Sequence, residues 1–283
     1  MLTFSKMHGI GNDYIYINCF QEKVSDPEKL SVFLSDVRFG VGSDGLVLIL
    51  PSDKADFRMR IFNADGSEAM MCGNATRCIG KYVYDMGMTT KTEISLETNS
   101  GIKYLTLYPG ADGKIESVKV DMGKAILVPK EIPVDSPLDR FIAQQVTVDG
   151  TEYAMTCVSM GNPHAVVFLP EIDSLDLEKI GPSFEHHPLF PDRVNTEFVR
   201  VIDAHTLQMR VWERGSGETF ACGTGTCATV VAAVLNGYCK KEEEILVHLR
   251  GGDLRIIYHE DDTVTMIGPA TYVFEGKMEY PKL

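Results

Sequence analysis

No run of about 18 or more apolar residues occurs in the chain, so no membrane-spanning helix is expected. The opening MLTFSKMHGIGND lacks a basic stretch followed by a long apolar one, so no signal peptide is expected. Basic residues are scarce: 27 Lys and Arg stand against 40 Asp and Glu, a net charge of −13. That balance argues against nucleic acid as a partner and for a soluble cytoplasmic protein; no membrane partner is expected, and a homodimer is left open. No C-x-x-C pair occurs among the seven cysteines, which disfavours a thiol–disulfide redox protein. An odd cysteine count without a secretory segment also disfavours a disulfide framework and leaves room for reactive thiols. The glycine-rich RGSGETFACGTGTC has no Lys-Ser/Thr after its glycines, and no strand precedes HGIGND. Neither a phosphate loop nor a dinucleotide fingerprint is therefore present.

What is present is a repeat. MRIFNADGSEAMMCGNATRC, from Met59 to Cys78, aligns with MRVWERGSGETFACGTGTCA, from Met209 to Ala228, at a constant offset of 150 without a gap. The offset also places Gly11-Asn12 on Gly161-Asn162, and Gly45 on Asn195. The period is far longer than that of a solenoid, so the chain reads as two copies of one domain. Two such copies can pack about a pseudo-two-fold axis. Most of each copy reads as short strands, among them GLVLIL, FRMRIF, TLQMRVW and DLRIIYH, separated by Gly, Asp, Asn or Pro. One clear helix occurs per copy: NATRCIGKYVYDMG, stopped by Gly87, and TGTCATVVAAVLNG, stopped by Gly237. The second is apolar on nearly every face and should be buried on all sides. The expected fold is α/β (α+β). It has two pseudo-symmetric domains, 1–122 with 268–283 and 123–267, and an active site in the cleft between them. Each domain is a mainly antiparallel, barrel-like β-sheet wrapped around a central helix. The stretch VPKEIPVDSP (128–137) reads as a Pro-rich surface segment of the second copy.

Each repeated cysteine, Cys72 and Cys222, precedes a glycine and then a helix. A helix start presents unpaired N–H groups and about half a positive charge, which should lower a thiol pKa and attract a carboxylate. Gly73 and Gly223 let the backbone approach a ligand closely. Two thiols on opposite faces of one carbon suit inversion of a stereocentre: one removes the proton α to a carboxylate, the other returns one to the far side. No cofactor is needed for that chemistry. A helix terminus supplies only about 0.3–2 kcal/mol, so the site must also exclude water.

Other residues have blander readings. Cys78 and Cys227 lie inside the helices and read as core, while Cys19, Cys157 and Cys239 fit no pattern. Cys72, Cys78, Cys222, Cys227 and His164 could ligate a metal. The spacings C-x5-C and C-x4-C lie at or beyond the wide end of a zinc knuckle, so a cysteine-ligated structural zinc protein is the weaker alternative and no metal is expected. Asn63, Glu213 and Arg214 end strands just before the cysteine loops; they either solvate strand ends or line the site. Asn12, Asn162 and Asn195 can be simple turn residues.

Taken together, GIGNDYIYIN, FNADGSEAMMCGN, MGNPH, RVNTEF, ERGSGET and ACGTGTCA resemble the diaminopimelate epimerase family, and the likeness runs from near residue 8 to the closing GPATYVFEG. Proline racemase-like proteins, the alternative among amino-acid racemases, resemble the CGTGT half but tend to carry His where this chain has Asn74. The resemblance implies interconversion of LL- and meso-2,6-diaminopimelate on the route to lysine and peptidoglycan, without a cofactor. It implies Cys72 and Cys222 as the acid–base pair, with Cys222 taking the proton from the LL-isomer and Cys72 from the meso-isomer. Gly73-Asn74 and Gly223-Thr224 match the backbone pairs that hold the reacting carboxylate. Asn12, Asn63, Asn162, Asn195, Glu213 and Arg214 match the remaining substrate contacts, and His164 and Glu213 match residues that tune the thiols. Some members carry Gln at the place of Gly45, to which no contact is assigned. The last strand, in ATYVFEG, is expected to return to the first domain.

Overall fold

A computed structural model of the protein describes residues 1–279. The chain divides into two compact units, Met1–Asp121 with Ile267–Leu283, and Met122–Met266. The first contains β1 (Leu2–Gly9), β2 (Asn12–Asn18), α1 (Pro27–Ser35), β3 (Gly45–Leu50), β4 (Phe57–Asn63), β5 (Glu68–Ala69), α2 (Gly73–Asp85), β6 (Glu93–Thr98) and β7 (Gly101–Pro109), with β8 (Ile115–Lys124) leading out of it. The second contains β9 (Gln144–Val148), β10 (Thr151–Ser159), β11 (Pro163–Phe168), α3 (Leu177–Glu185), β12 (Asn195–Asp203), β13 (Thr206–Glu213), β14 (Gly217–Thr219), α4 (Gly223–Leu235), β15 (Glu244–Leu249) and β16 (Gly252–Tyr258). Strand β17 (Thr263–Pro269) leads back, and β18 (Thr271–Met278) belongs to the first unit, where it pairs antiparallel with β1.

The offset of 150 holds at the level of single residues. Helix α2 maps onto α4, and α1 onto α3, with both ends in register. In the first unit the pairings run β18–β1–β2–β3–β4–β6–β7–β8, with β5 added to β4. In the second they run β9–β10–β11–β12–β13–β15–β16, with β14 added to β13. Most pairs are antiparallel. The exceptions recur in both units: β2 with β3 and β4 with β6 are parallel, as are β11 with β12 and β13 with β15. A helix crosses over between the members of each of these four pairs, as a parallel connection requires.

The duplicated helices α2 and α4 pack on the strands of their own units. Helix α4 packs on β10, β11, β12, β13 and β16, and its residues 225–233 are all buried, which accounts for its lack of a polar face. Helix α2 packs on β1, β2, β7 and β18. The composition of α1 and α3 did not single them out as helices. Each is short and covers the other face of its sheet. Leu30 and Leu34 of α1, one turn apart, complete a core with Ile15, Leu46 and Phe62. Helix α1 carries a readable start, since the Asp26 carboxylate accepts a hydrogen bond from the Lys29 N–H and Pro27 is the first helical residue. Helix α3 hides its signal behind an internal Pro182.

The segment 128–137 is not the surface stretch expected. A short 3-10 turn at Pro129–Glu131 turns the chain inward, and Ile132 and Val134, 1% and 4% exposed, enter the core beneath α3. The prolines punctuate an apolar alternation whose inward side is buried.

Candidate active site

Both repeated cysteines are the N-caps of their helices, in extended backbone conformation. The cap is reinforced the same way twice. The Thr76 hydroxyl donates to the Cys72 carbonyl at 2.9 Å, and the Thr226 hydroxyl to the Cys222 carbonyl at 2.7 Å. Around these matching starts the two units differ.

In the first unit Cys72 is half-buried. Its thiol donates to Asn12 Oδ1 at 3.5 Å, and Asn74 Nδ2 donates to the same oxygen at 3.1 Å. The other end of the Asn12 amide donates to the Asp44 carboxylate at 2.7 Å, so Asp44 fixes which end of the amide meets the thiol. Burial raises the Asp44 carboxyl above its ordinary range, and the hydrogen bonds from Asn12 and the Asp13 N–H oppose that rise. Beneath the helix start lies Arg77, fully buried. It donates to Asn74 Oδ1 at 3.0 Å, to the Gly73 carbonyl and to the Pro269 carbonyl. Asn63, the third polar residue expected here, is exposed at the end of β4 and donates to the Ser67 hydroxyl at 3.0 Å. Gly45 carries no side chain for a steric reason: a β-carbon there would lie 2.0 Å from the Phe62 carbonyl oxygen on the neighbouring strand.

In the second unit Cys222 is 4% exposed. Its sulfur accepts from the Gly225 N–H at 3.3 Å and lies 3.6 Å from the Thr224 hydroxyl. Glu213, at the end of β13, accepts a hydrogen bond from the Thr219 hydroxyl. Burial raises the Glu213 carboxyl above the ordinary carboxylate range, against the opposing pull of the Thr219 hydroxyl and the neighbouring Cys222 thiol. Burial likewise pushes the Cys222 thiol well above its ordinary range, and the Glu213 and Glu197 carboxylates add to the rise. This corrects the expectation that the helix start lowers the thiol pKa. The terminal dipole and the Gly225 N–H do favour thiolate, but they are outweighed by removal from water beside two acids.

His164, on β11, is fully buried. Its Nδ1 lies 2.7 Å from Glu197 Oε1 and its Nε2 lies 3.0 Å from Asn162 Oδ1. Asn195 is spent on the backbone: Nδ2 donates to the Pro163 carbonyl at 2.8 Å and Oδ1 accepts the Arg214 N–H at 2.9 Å. It therefore sets the position of Arg214, whose guanidinium also donates to the Asp192 carbonyl at 2.8 Å. The first unit thus gathers Cys72, Gly73, Asn74 and Asn12, with Asn63 exposed at the end of β4. The second gathers Cys222, Gly223, Thr224, Glu213, Asn162 and His164, with Asn195 and Arg214 joined beside them.

The family model for diaminopimelate epimerase matches residues 4–128 and 156–273. The chain belongs to the diaminopimelate epimerase family. It is 58% identical to the diaminopimelate epimerase of Acetivibrio thermocellus, over all of both chains. It is 57% identical to that of Agathobacter rectalis, across 98% of this chain and 99% of the other, and 54% identical to that of Methanococcus maripaludis, across 98% and 100%. Diaminopimelate epimerases are isomerases that act on a small molecule. Among solved structures, a probable proline racemase from Agrobacterium radiobacter K84 superposes with a TM-score of 0.75 at 14% identity, covering 99% of this chain and 94% of that one. A hydroxyproline epimerase from Agrobacterium vitis superposes with a TM-score of 0.68 at 16% identity, covering 97% and 91%. These two likenesses establish the fold.

Sequence reasoning missed Asp44, Arg77 and Glu197. Asp44 and Arg77 had no repeat partner to advertise them. Glu197 had a signal: it sits in RVNTEF, where the matching residue 150 earlier is Val47.

Proposed function

We propose that the protein interconverts LL- and meso-2,6-diaminopimelate by a two-base mechanism in which Cys72 and Cys222 serve one α-carbon from opposite faces. The observation that carries this reading is the pair of N-capping cysteines in identical backbone settings with unlike side-chain neighbours. The helix starts at Gly73 and Gly223 supply N–H groups to the reacting carboxylate. In the LL-to-meso direction Cys222 removes the α-proton and Cys72 delivers one to the other face; in the reverse direction the roles exchange. Each turnover leaves the two protons shared differently between the sulfurs, so the thiols must exchange with solvent or reverse roles before the next. Substrate-free Cys222 favours the thiol, which is the form that donates to the meso-isomer's carbanion. Glu213, a neighbour of the Cys222 thiol, is the group that can draw that proton away when the LL-isomer must be served.

Arg214 and the asparagines address the distal amino-acid end, which does not react. A guanidinium can hold a carboxylate through two parallel hydrogen bonds, and simple amino acids lack that distal group. The charge of −13 supports neither nucleic acid nor membrane as partner, and a set of thiols with working roles suits a reducing cytoplasm.

Solvent exchange at the α-carbon tests the mechanism. With either isomer in D2O and no cofactor added, the product should carry deuterium at the inverted centre, while substrate recovered early retains its α-hydrogen. Product that keeps the original α-hydrogen would rule out the two-base reading.

A further inference from the structure

The two units solve the space beneath their central helix start differently. In the second unit Glu197 lies on β12, opposite Val166 of β11 and Val211 of β13. In the first, Val47 lies on β3, opposite Tyr16 of β2 and Ile61 of β4, in the same registers. Val47 and Glu197 are both 0% exposed. The helix residue at the matching place differs too: Ala75 in the first unit, Gly225 in the second, where it lies against Glu197. A β-carbon on Gly225 would lie 2.5 Å from Glu197 Oε1. The glycine is therefore the space that admits the carboxylate under the first turn of α4, where the helix dipole favours negative charge.

Stability does not explain the acid. A buried carboxylate is costly unless fully paired, and Glu197 Oε2 has no hydrogen-bond partner among the described residues. Valine fills the same site in the sister unit. What Glu197 does is hold His164, whose Nδ1 is 2.7 Å from Oε1 and whose other nitrogen meets the Asn162 side chain at 3.0 Å. A carboxylate on Nδ1 keeps a proton there. The state of Nε2 then decides which end of the Asn162 amide points away from the ring. An imidazolium donates to Oδ1 and presents the NH2 outward; a neutral ring accepts from the NH2 and presents the oxygen.

We propose that Glu197 is a positioning residue of the Cys222 half-site: seated in the space left by Gly225, it fixes the His164 imidazole, which in turn fixes the outward face of the Asn162 amide. The catalytic part of this inference rests on the reading of Cys222 as an acid–base thiol.

The test uses the full-length protein with 15N-labelled histidine. The His164 imidazole signals are identified by their loss in His164→Gln. In Glu197→Gln, which keeps shape but not charge, those signals should shift while the other six histidines stay in place. Epimerisation should fall on the order of 10–100-fold in kcat/KM, the usual effect of removing a group that orients a functional imidazole. Glu197→Val with Gly225→Ala reproduces the packing of the first unit, so it should fold and lose activity to the same degree. Unchanged His164 signals in Glu197→Gln, or wild-type kcat/KM in the double variant, overturns the proposal. If the wild-type protein does not epimerise diaminopimelate, the proposed function fails, while the His164 signals still report whether Glu197 holds the ring.

Discussion

Consider Gly225→Ala alone. Alanine is the better helix residue by roughly 0.5–1 kcal/mol, so propensity predicts stabilisation. The surroundings predict the opposite. The new β-carbon would sit 2.5 Å from Glu197 Oε1 and 3.1 Å from Cys222 Sγ. Glu197 cannot swing away freely, because Oε1 is held by His164 at 2.7 Å. Moving it forfeits a hydrogen bond to an ionised group, about 1.5–3 kcal/mol. Setting the helix gain against that loss leaves a net destabilisation of about 1–2 kcal/mol, a fall of a few degrees in midpoint temperature at this chain length. Adding Glu197→Val removes the collision and the buried charge, at the cost of the His164 partner, so the double variant should be more stable than the sum of the two single changes implies. Urea unfolding of the two single variants and the double variant gives a coupling energy, expected at about 1 kcal/mol or more in favour of the pair. If Gly225→Ala stabilises equally with Glu or Val at 197, the contact is not as described and the reasoning fails.

Four further outcomes follow from the same geometry. Cys72→Ala and Cys222→Ala should each abolish epimerisation, whereas Cys78→Ala, in the fully buried core, should chiefly lower the unfolding midpoint; near-normal turnover in Cys72→Ala would refute the two-base scheme. Arg77→Met removes the donor to Asn74 Oδ1 and Pro269 O and should cost about 3–5 kcal/mol by stranding buried acceptors, read as a shifted urea midpoint. Arg214→Lys should lose more activity on diaminopimelate than Lys in place of the exposed Arg255, since it keeps charge but not the planar fork; equal kinetics would remove Arg214 from the distal site. Glu213→Gln bears on pH: the Glu213 carboxyl is raised in the folded state, so its contribution is full below the unfolded value of about 4.3 and is lost as pH rises through the folded one. The variant should therefore gain stability relative to wild type at neutral pH while losing turnover, and parallel thermal midpoints at pH 4 and pH 7 would contradict this.

The fold was legible where the repeat was legible. The repeat marked α2 and α4 because each runs from a Cys-Gly start to a glycine stop, and α4, buried on nearly all sides, adds a nearly unbroken apolar string between them. It did not mark α1 and α3, nine residues each, which cover one sheet face with only two or three apolar contacts. The mixture of parallel and antiparallel pairs was also invisible, since it depends on where the crossover helices fall. At the site, the duplicated residues were found by alignment of the two halves: Cys72 with Cys222, Asn12 with Asn162. The supporting residues were not, because they are the places where the halves diverge. Asp44 orients Asn12, but its partner by offset is Val194; Glu197 holds His164, but its partner is Val47. Helix-start reasoning erred for Cys222 because a sequence window shows the dipole and not the acids that strands β12 and β13 bring beside it.

That divergence has a chemical logic. A racemase acts on mirror images, and a pair of equivalent half-sites would serve both hands alike. LL- and meso-diaminopimelate are not mirror images: they differ at one centre while the distal centre keeps its configuration. An enzyme for them must present two similar thiols to the reacting carbon and yet hold the distal end in one fixed way. On the proposed mechanism, duplication supplies the first requirement through the two N-capping cysteines, whose backbone settings match. The second requires the halves to differ. They differ where side chains meet the helix starts: Asn63 against Glu213, Tyr14 against His164, Val47 against Glu197 and Ala75 against Gly225. These changes put acids, an imidazole and the space for a carboxylate on the Cys222 side, while Arg77 and Asp44 stand against Cys227 and Val194 on the Cys72 side. The asymmetry of the substrate is thus matched by an asymmetry of side chains, laid over a duplicated backbone.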